Sequence, residues 1–165
     1  MKKAICILLM LLFSFPALAE STPADSSLLA PFSVTIPEEV ALETGESSCT
    51  FIYGQTRAVA VRIDRVPDEN PAEAVLRLML QFDPQAVIGE EFPTAEGFFG
   101  AQALTRDKYG AGVDALTVMI LSRDGDLLIL SAYDMAGSEM HVRSLLDTLL
   151  SGLTVEDVPV VHKIK

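Results

Sequence analysis

Tryptophan is absent from this sequence, and cysteine and histidine occur only twice each. Two histidines and two thiols, far apart in the chain, do not make the spacing of a zinc site. Positive charge is scarce as well, with 12 Lys and Arg against 23 Asp and Glu, a formal net charge of −11. A surface of that sign repels phosphate backbones and excludes nucleic acid and anionic membrane as partners. Cationic partners or divalent ions remain compatible with it, but plain solubility in an extracytoplasmic setting is the favoured reading. Apolar runs are short: residues 4–15 form about a dozen before Pro16 breaks them, against the ~20 needed to cross hydrocarbon.

That short run has the layout of an export signal. Lys2 and Lys3 precede it, and Ala17-Leu18-Ala19 supplies the small-x-small cleavage pattern, placing the cut between Ala19 and Glu20. No permanent membrane span is expected after cleavage, and Cys6, near the start of the run, is poorly placed for a lipid anchor. Removing 1–19 takes Cys6 and both lysines away, so the remainder carries a net charge of about −13. Cys49 is then left without a partner for an intramolecular disulfide, although an exported protein would be free to form one. Burial must carry the stability, and the 146 residues that remain suffice for one domain.

Residues 20–30, rich in Ser, Pro and Ala, read as a flexible lead-in to a single domain over 31–155, followed by a loose tail over 156–165. Within the domain, 32–37 (FSVTIP) alternates and stops at proline, as an opening or edge strand does. The acidic stretch 38–48 (EEVALETGESS) reads as a loop. Strands follow over 49–53 and 57–66, joined by Gly54-Gln55-Thr56, with Val59, Val61 and Ile63 on the buried side of the second.

Asn70, Pro71 and Glu73 have the pattern of a helix N-cap, first position and capping-box partner, and Asp68 and Glu69 add favourable charge there. Val75, Leu76, Met79 and Phe82 make that helix's apolar stripe, and Asp83-Pro84 ends it. Glu90, Glu91 and Glu96 fall in a second acidic loop, and 98–106 reads as a strand weakened by Gly100. Ser138 and Glu139 open a second helix carrying Val142, Leu145, Leu146, Leu149 and Leu153. Gly152 followed by Leu153 resembles a Schellman ending, and Arg143 with Asp147 an i,i+4 pair.

The most informative stretch lies between the helices. Runs over 115–122 and 127–134 flank Arg123-Asp124-Gly125-Asp126, and Asp-Gly predicts a two-residue type I′ turn. Arg123 opposite Asp126 then sets Leu121 opposite Leu128, Ile120 opposite Ile129, Met119 opposite Leu130 and Val118 opposite Ser131. Both faces of this hairpin are apolar, so it must lie inside a sheet covered on both sides. The expected fold class is α+β: a mainly antiparallel sheet sandwiched by two helices.

The opening PFSVTIPEEV, the helix NPAEAVLRLML, the hairpin DALTVMILSRDGDLLILSAYD and the closing SEMHVRSLLDTLLSGLTV occur in an order that resembles the superfamily containing the photosystem II subunit PsbP and the Ran-binding Mog proteins. The resemblance covers 31–155. It implies an α/β/α sandwich, PsbP-like, and a binding or accessory role; no functional residues match, so neither photosystem nor Ran binding is implied.

Candidate chemistry is thin. Cys49 follows Glu43, Glu46 and two serines, a setting that disfavours thiolate, and alternation puts it with Phe51 and Tyr53 as a packed side chain. A reactive thiol and an intermolecular disulfide are the alternatives. A Cys49–His141–Asp134 grouping has no support in spacing, and His162 lies in the tail. Asp124 and Asp126 lack the other ligands of an EF-hand, and Gly110-x-Gly112 is too short to cradle phosphate. Glu38, Glu39, Glu43 and Glu46, or Glu90, Glu91 and Glu96, could gather calcium weakly, but solvated loops are the favoured reading. No catalytic, metal or cofactor residues are therefore assigned. The chain reads as an exported, non-enzymatic binding or accessory protein, extracytoplasmic, for an unknown protein or small ligand. A thiol-dependent enzyme or redox protein using Cys49 and an acidic calcium-responsive module are the competing readings.

Overall fold

The computed structural model describes residues 26–64, 70–89, 92–108 and 112–162. The cleavage site at Ala19 and Glu20, the leader 1–19, Asp68, Glu69, Glu90, Glu91 and Gly110 lie outside the described residues, as does 163–165.

Ten strands among the described residues form two antiparallel sheets. The larger has seven strands in the order β2 (Ala41–Thr44), β3 (Cys49–Tyr53), β4 (Thr56–Ile63), β8 (Leu127–Asp134), β7 (Ala115–Ser122), β6 (Phe98–Thr105) and β5 (Val87–Ile88). The smaller joins β1 (Phe32–Val34), β9 (Leu153–Val155) and β10 (Val158–Pro159). Two short helices complete it, α1 (Pro71–Phe82) and α2 (Glu139–Ser151).

The expected α/β/α sandwich is therefore wrong: this is a β-rich fold. The reason is area. Seven strands about 4.8 Å apart span roughly 29 Å, whereas one helix with its side chains covers about 10–12 Å. Two helices of 12 and 13 residues cannot form layers over such a sheet. The three-stranded sheet supplies much of the missing cover, because Phe32, Val34, Leu153 and Val160 pack in the same core as α2 and one face of the large sheet. Stretches read as loop or tail became strands. Leu42 and Glu43 of the acidic segment pair with Phe51 and Thr50. The tail folds back through Glu156 and Asp157, both at positive φ as a two-residue type I′ turn requires. Val160 is fully buried, and Thr94 and Val161 form a bridge. The end of the lead-in is also ordered: Ser26–Leu29 is a 3₁₀ turn, and Leu29 is fully buried.

The hairpin β7–β8 does occupy the middle of the large sheet, and every residue of both strands except the half-buried Tyr133 is buried. Its register differs from the expected one by a residue. Ser122 N–H donates to Asp126 O at 2.9 Å and Gly125 N–H to Ser122 O at 3.0 Å. The loop is thus three residues, Arg123-Asp124-Gly125, with Gly125 at φ +92°. Leu121 faces Leu127, Met119 faces Ile129 and Val118 faces Leu130. A slip of one exchanges the two faces of β8 relative to β7. Leu116, Val118, Ile120, Leu128, Leu130 and Ala132 consequently share the core under α2, while Met119, Leu121, Leu127 and Ile129 meet Ala74, Val75 and Met79 of α1.

Helix signals hold at the N-termini. Asn70 accepts from Glu73 N–H at 3.4 Å and Ser138 from His141 N–H at 3.4 Å. The stripe differs in detail: Ala74 is fully buried and Leu76 is 43% exposed. In β4 the alanines Ala58 and Ala60 face the α2 core, rather than Val59, Val61 and Ile63. Gly152 does not make a Schellman turn, since its φ is −97°. It is glycine because a Cβ there would lie 2.7 Å from the Thr35 carbonyl oxygen.

Candidate functional site

At one pole of the large sheet, the end of β6 and the start of β7 approach the corner where β8 turns into α2. Between them lies a cleft of about 140 Å³. Leu104, Leu116 and Val142 supply its apolar lining; Gly112 and Gly137, both at positive φ, also line it. Arg106 and Asp114 stand on the sheet side, Glu139 and Arg143 on the helix side, and Asp134 at the corner.

Each of these charged groups is engaged by a neighbour. Arg106 pairs with Asp114, which also accepts from Asp107 N–H at 3.0 Å. That amide first, and then the guanidinium, lowers the Asp114 pKa below its ordinary value. Arg143 donates to Glu139 Oε1 through Nε at 3.0 Å and Nη2 at 2.7 Å. The expected Arg143–Asp147 pair is thus replaced by one a turn earlier on α2, with the acid on the N-terminal side that the helix dipole favours.

Asp134 is the fixed point of the corner. Its Oδ2 accepts from the Thr56 hydroxyl at 2.6 Å, across the β4–β8 ladder where the two residues face each other. Its Oδ1 accepts from Ala136 N–H at 2.8 Å and Ser138 N–H at 3.2 Å. Burial pushes this carboxyl up, but the hydroxyl and the two amides outweigh burial and hold it below its ordinary value. A carboxylate so held is a brace for the loop into α2.

The structure brings His141 and Asp134 together, with Nδ1 3.5 Å from Oδ2. Cys49 does not join them. It is fully buried and faces Ala60, which faces Leu130, two strands across and four residues along from Asp134. At about 4.8 Å per strand and 3.3 Å per residue, the backbone separation is roughly 16 Å. Asp124 sits in the hairpin loop and Asp126 closes it. His162 is exposed. Among the described residues no group of three or more His, Cys, Asp and Glu could hold a metal ion, Glu38, Glu39, Glu43, Glu46 and Glu96 included.

One arrangement on the other face had no sequence signal. Lys108 Nζ is buried 3.3 Å from Asp83 Oδ2 and 4.3 Å from the Phe82 ring centroid, at the end of α1. Asp83 also accepts from the Thr105 hydroxyl at 2.7 Å and Gln85 N–H at 3.1 Å. Burial draws the Lys108 pKa down. This ion pair fastens α1 to the end of β6.

The cleft itself was missed because its residues are scattered from 104 to 143. The one local hint is Arg106 and Asp114 bracketing a glycine-containing loop.

No family model matches the chain, and no curated protein matches it significantly. Among solved structures, it is similar to LpqN, a protein involved in cell envelope biogenesis of Mycobacterium tuberculosis, with a TM-score of 0.47 and 17% identity over 79% of this chain and 83% of that one. The likeness is too remote to carry a function across. No helix among the described residues is long and apolar enough to cross a membrane.

Proposed function

We propose that this is an exported, non-enzymatic binding or accessory protein that engages a partner protein or small ligand through the cleft beside Asp134. One observation carries the reading: every ionisable group lining the cleft is already held by a neighbour. Catalysis by acid, base or nucleophile needs a group poised to exchange a proton or attack. Braced carboxylates and paired guanidiniums suit recognition instead, where fixed charges around an apolar floor set orientation. The export-signal pattern of the first nineteen residues supports an extracytoplasmic setting. The thiol reading loses its footing with Cys49 fully buried.

The test is site-specific photocrosslinking in the native host. A photoreactive residue at Glu139 should give discrete adducts that the same residue at Val87, at the far edge of the large sheet, does not. Identical adduct patterns at both positions, or none at either, would remove the cleft as the binding site.

A further inference from the structure

We infer that the cleft binds a free α-amino acid with an aliphatic side chain. This inference rests on the cleft being a binding site. Size comes first. A volume of about 140 Å³ has room for about five waters, or one molecule of amino-acid dimensions, and falls well below the 300–1,000 Å³ of drug-sized pockets. The lining comes next. Leu104, Leu116 and Val142 offer an apolar surface to a branched hydrocarbon group.

Charge then selects the head group. The two walls each carry one guanidinium and one carboxylate, already paired: Arg106 with Asp114, Arg143 with Glu139. An anion taking the guanidinium N–H groups that the pairs leave unused would also face the carboxylate beside each arginine, and a cation on the carboxylates would face the guanidiniums. In each case the like charge offsets part of the attraction. A zwitterion brings both charges. Its carboxylate can take unused guanidinium N–H groups while its ammonium takes unused carboxylate lone pairs, with both pairs left intact. Asp134 has no part in this recognition, because its oxygens are occupied by Thr56, Ala136 and Ser138.

Calorimetric titration of the protein purified from its host, at pH 7, tests this with three molecules sharing one hydrocarbon group. L-Leucine should bind. 4-Methylpentanoate, which lacks the ammonium, and 3-methylbutylamine, which lacks the carboxylate, should each bind at least tenfold more weakly, as should glycine, which lacks the side chain. Replacing one wall's pair without changing net charge (Arg106→Gln with Asp114→Asn) should weaken leucine at least tenfold. The same treatment of the remote pair, Arg62→Gln with Asp64→Asn, should leave leucine binding unchanged. No heat with leucine at millimolar concentration overturns the inference, as does equal binding of either truncated analogue. If leucine fails while Glu139 still crosslinks a partner, the amino-acid assignment alone falls. If the crosslinks also vanish, the cleft reading falls with it.

Discussion

Replacing Gly152 with alanine sets two physical effects against each other. Gly152 has φ −97° and ψ 2°, a conformation open to any L-residue. Considered by backbone entropy alone, Gly→Ala at such a position stabilises by about 0.4–1 kcal/mol, because the unfolded chain loses freedom. The tertiary structure argues the opposite sign. The added Cβ would stand 2.7 Å from the Thr35 carbonyl oxygen, 3.2 Å from Thr35 Cβ and 3.3 Å from Thr35 N. Two of those atoms are backbone and cannot swing aside. Thr35 N–H also donates to Gly152 O at 3.0 Å, so the segment leaving β1 must retreat and stretch that bond. Phe32 and Val34, both buried, sit just before it and would move with it. Overpacking of this kind costs about 1–3 kcal/mol, which exceeds the entropic gain. At the central values the net loss is about 1.3 kcal/mol, and at about 3–4 °C per kcal/mol for a domain of this size it lowers the thermal midpoint by roughly 4–5 °C. Thermal unfolding by circular dichroism measures the sum, and hydrogen exchange locates it, since the Thr35 amide should lose protection more than amides in β7 and β8. A midpoint that is unchanged or raised would refute the close approach between α2's end and β1.

Three further outcomes are expected. Asp83→Ala strands a buried ammonium and should cost about 3–5 kcal/mol by denaturant titration; adding Lys108→Met should recover part of that, and a double variant weaker than the single would disprove the pairing. Ionised Asp134 is favoured in the folded state, so its contribution is complete above the unfolded carboxyl value and lost as pH falls through the lower folded value. The stability difference between the parent and Asp134→Asn should therefore be full at pH 6 and shrink progressively as pH falls below about pH 4, and a difference that stays constant into strong acid would contradict the bracing role. Cys49 should resist iodoacetamide until the protein unfolds, with labelling rising along the denaturation curve; rapid labelling of the native protein at neutral pH would restore the thiol reading.

The helix starts were legible because their signals are local. Asn70-Pro71 with Glu73, and Ser138 with Glu139, contain within a few residues both the cap and the groups it satisfies. The strand Cys49–Tyr53 was legible for the same reason, and so was burial of Cys49 beside Phe51. The strand Ala41–Thr44 was not, because charged residues mark an edge as readily as a loop and only pairing with β3 separates the two. The cleft was not legible either. Arg106, Asp114, Asp134 and Glu139 become neighbours through antiparallel pairing and the turn into α2, and neither event leaves a local pattern.

By itself the amino-acid sequence determined that the ribbon of β7 and β8 must be buried on both sides, since apolar residues occupy both phases of its alternation. It also determined where α1 and α2 begin. Tertiary structure decided which side of each strand meets which core. With both faces apolar, a one-residue slip costs nothing in hydrophobic pattern, and the hydrogen bonds closing Ser122 to Asp126 around Gly125 made the choice. Tertiary structure likewise decided what covers the sheet, because helices of 12 and 13 residues left area that β1 and β9, together with Leu29, Val40 and Val160, help to fill.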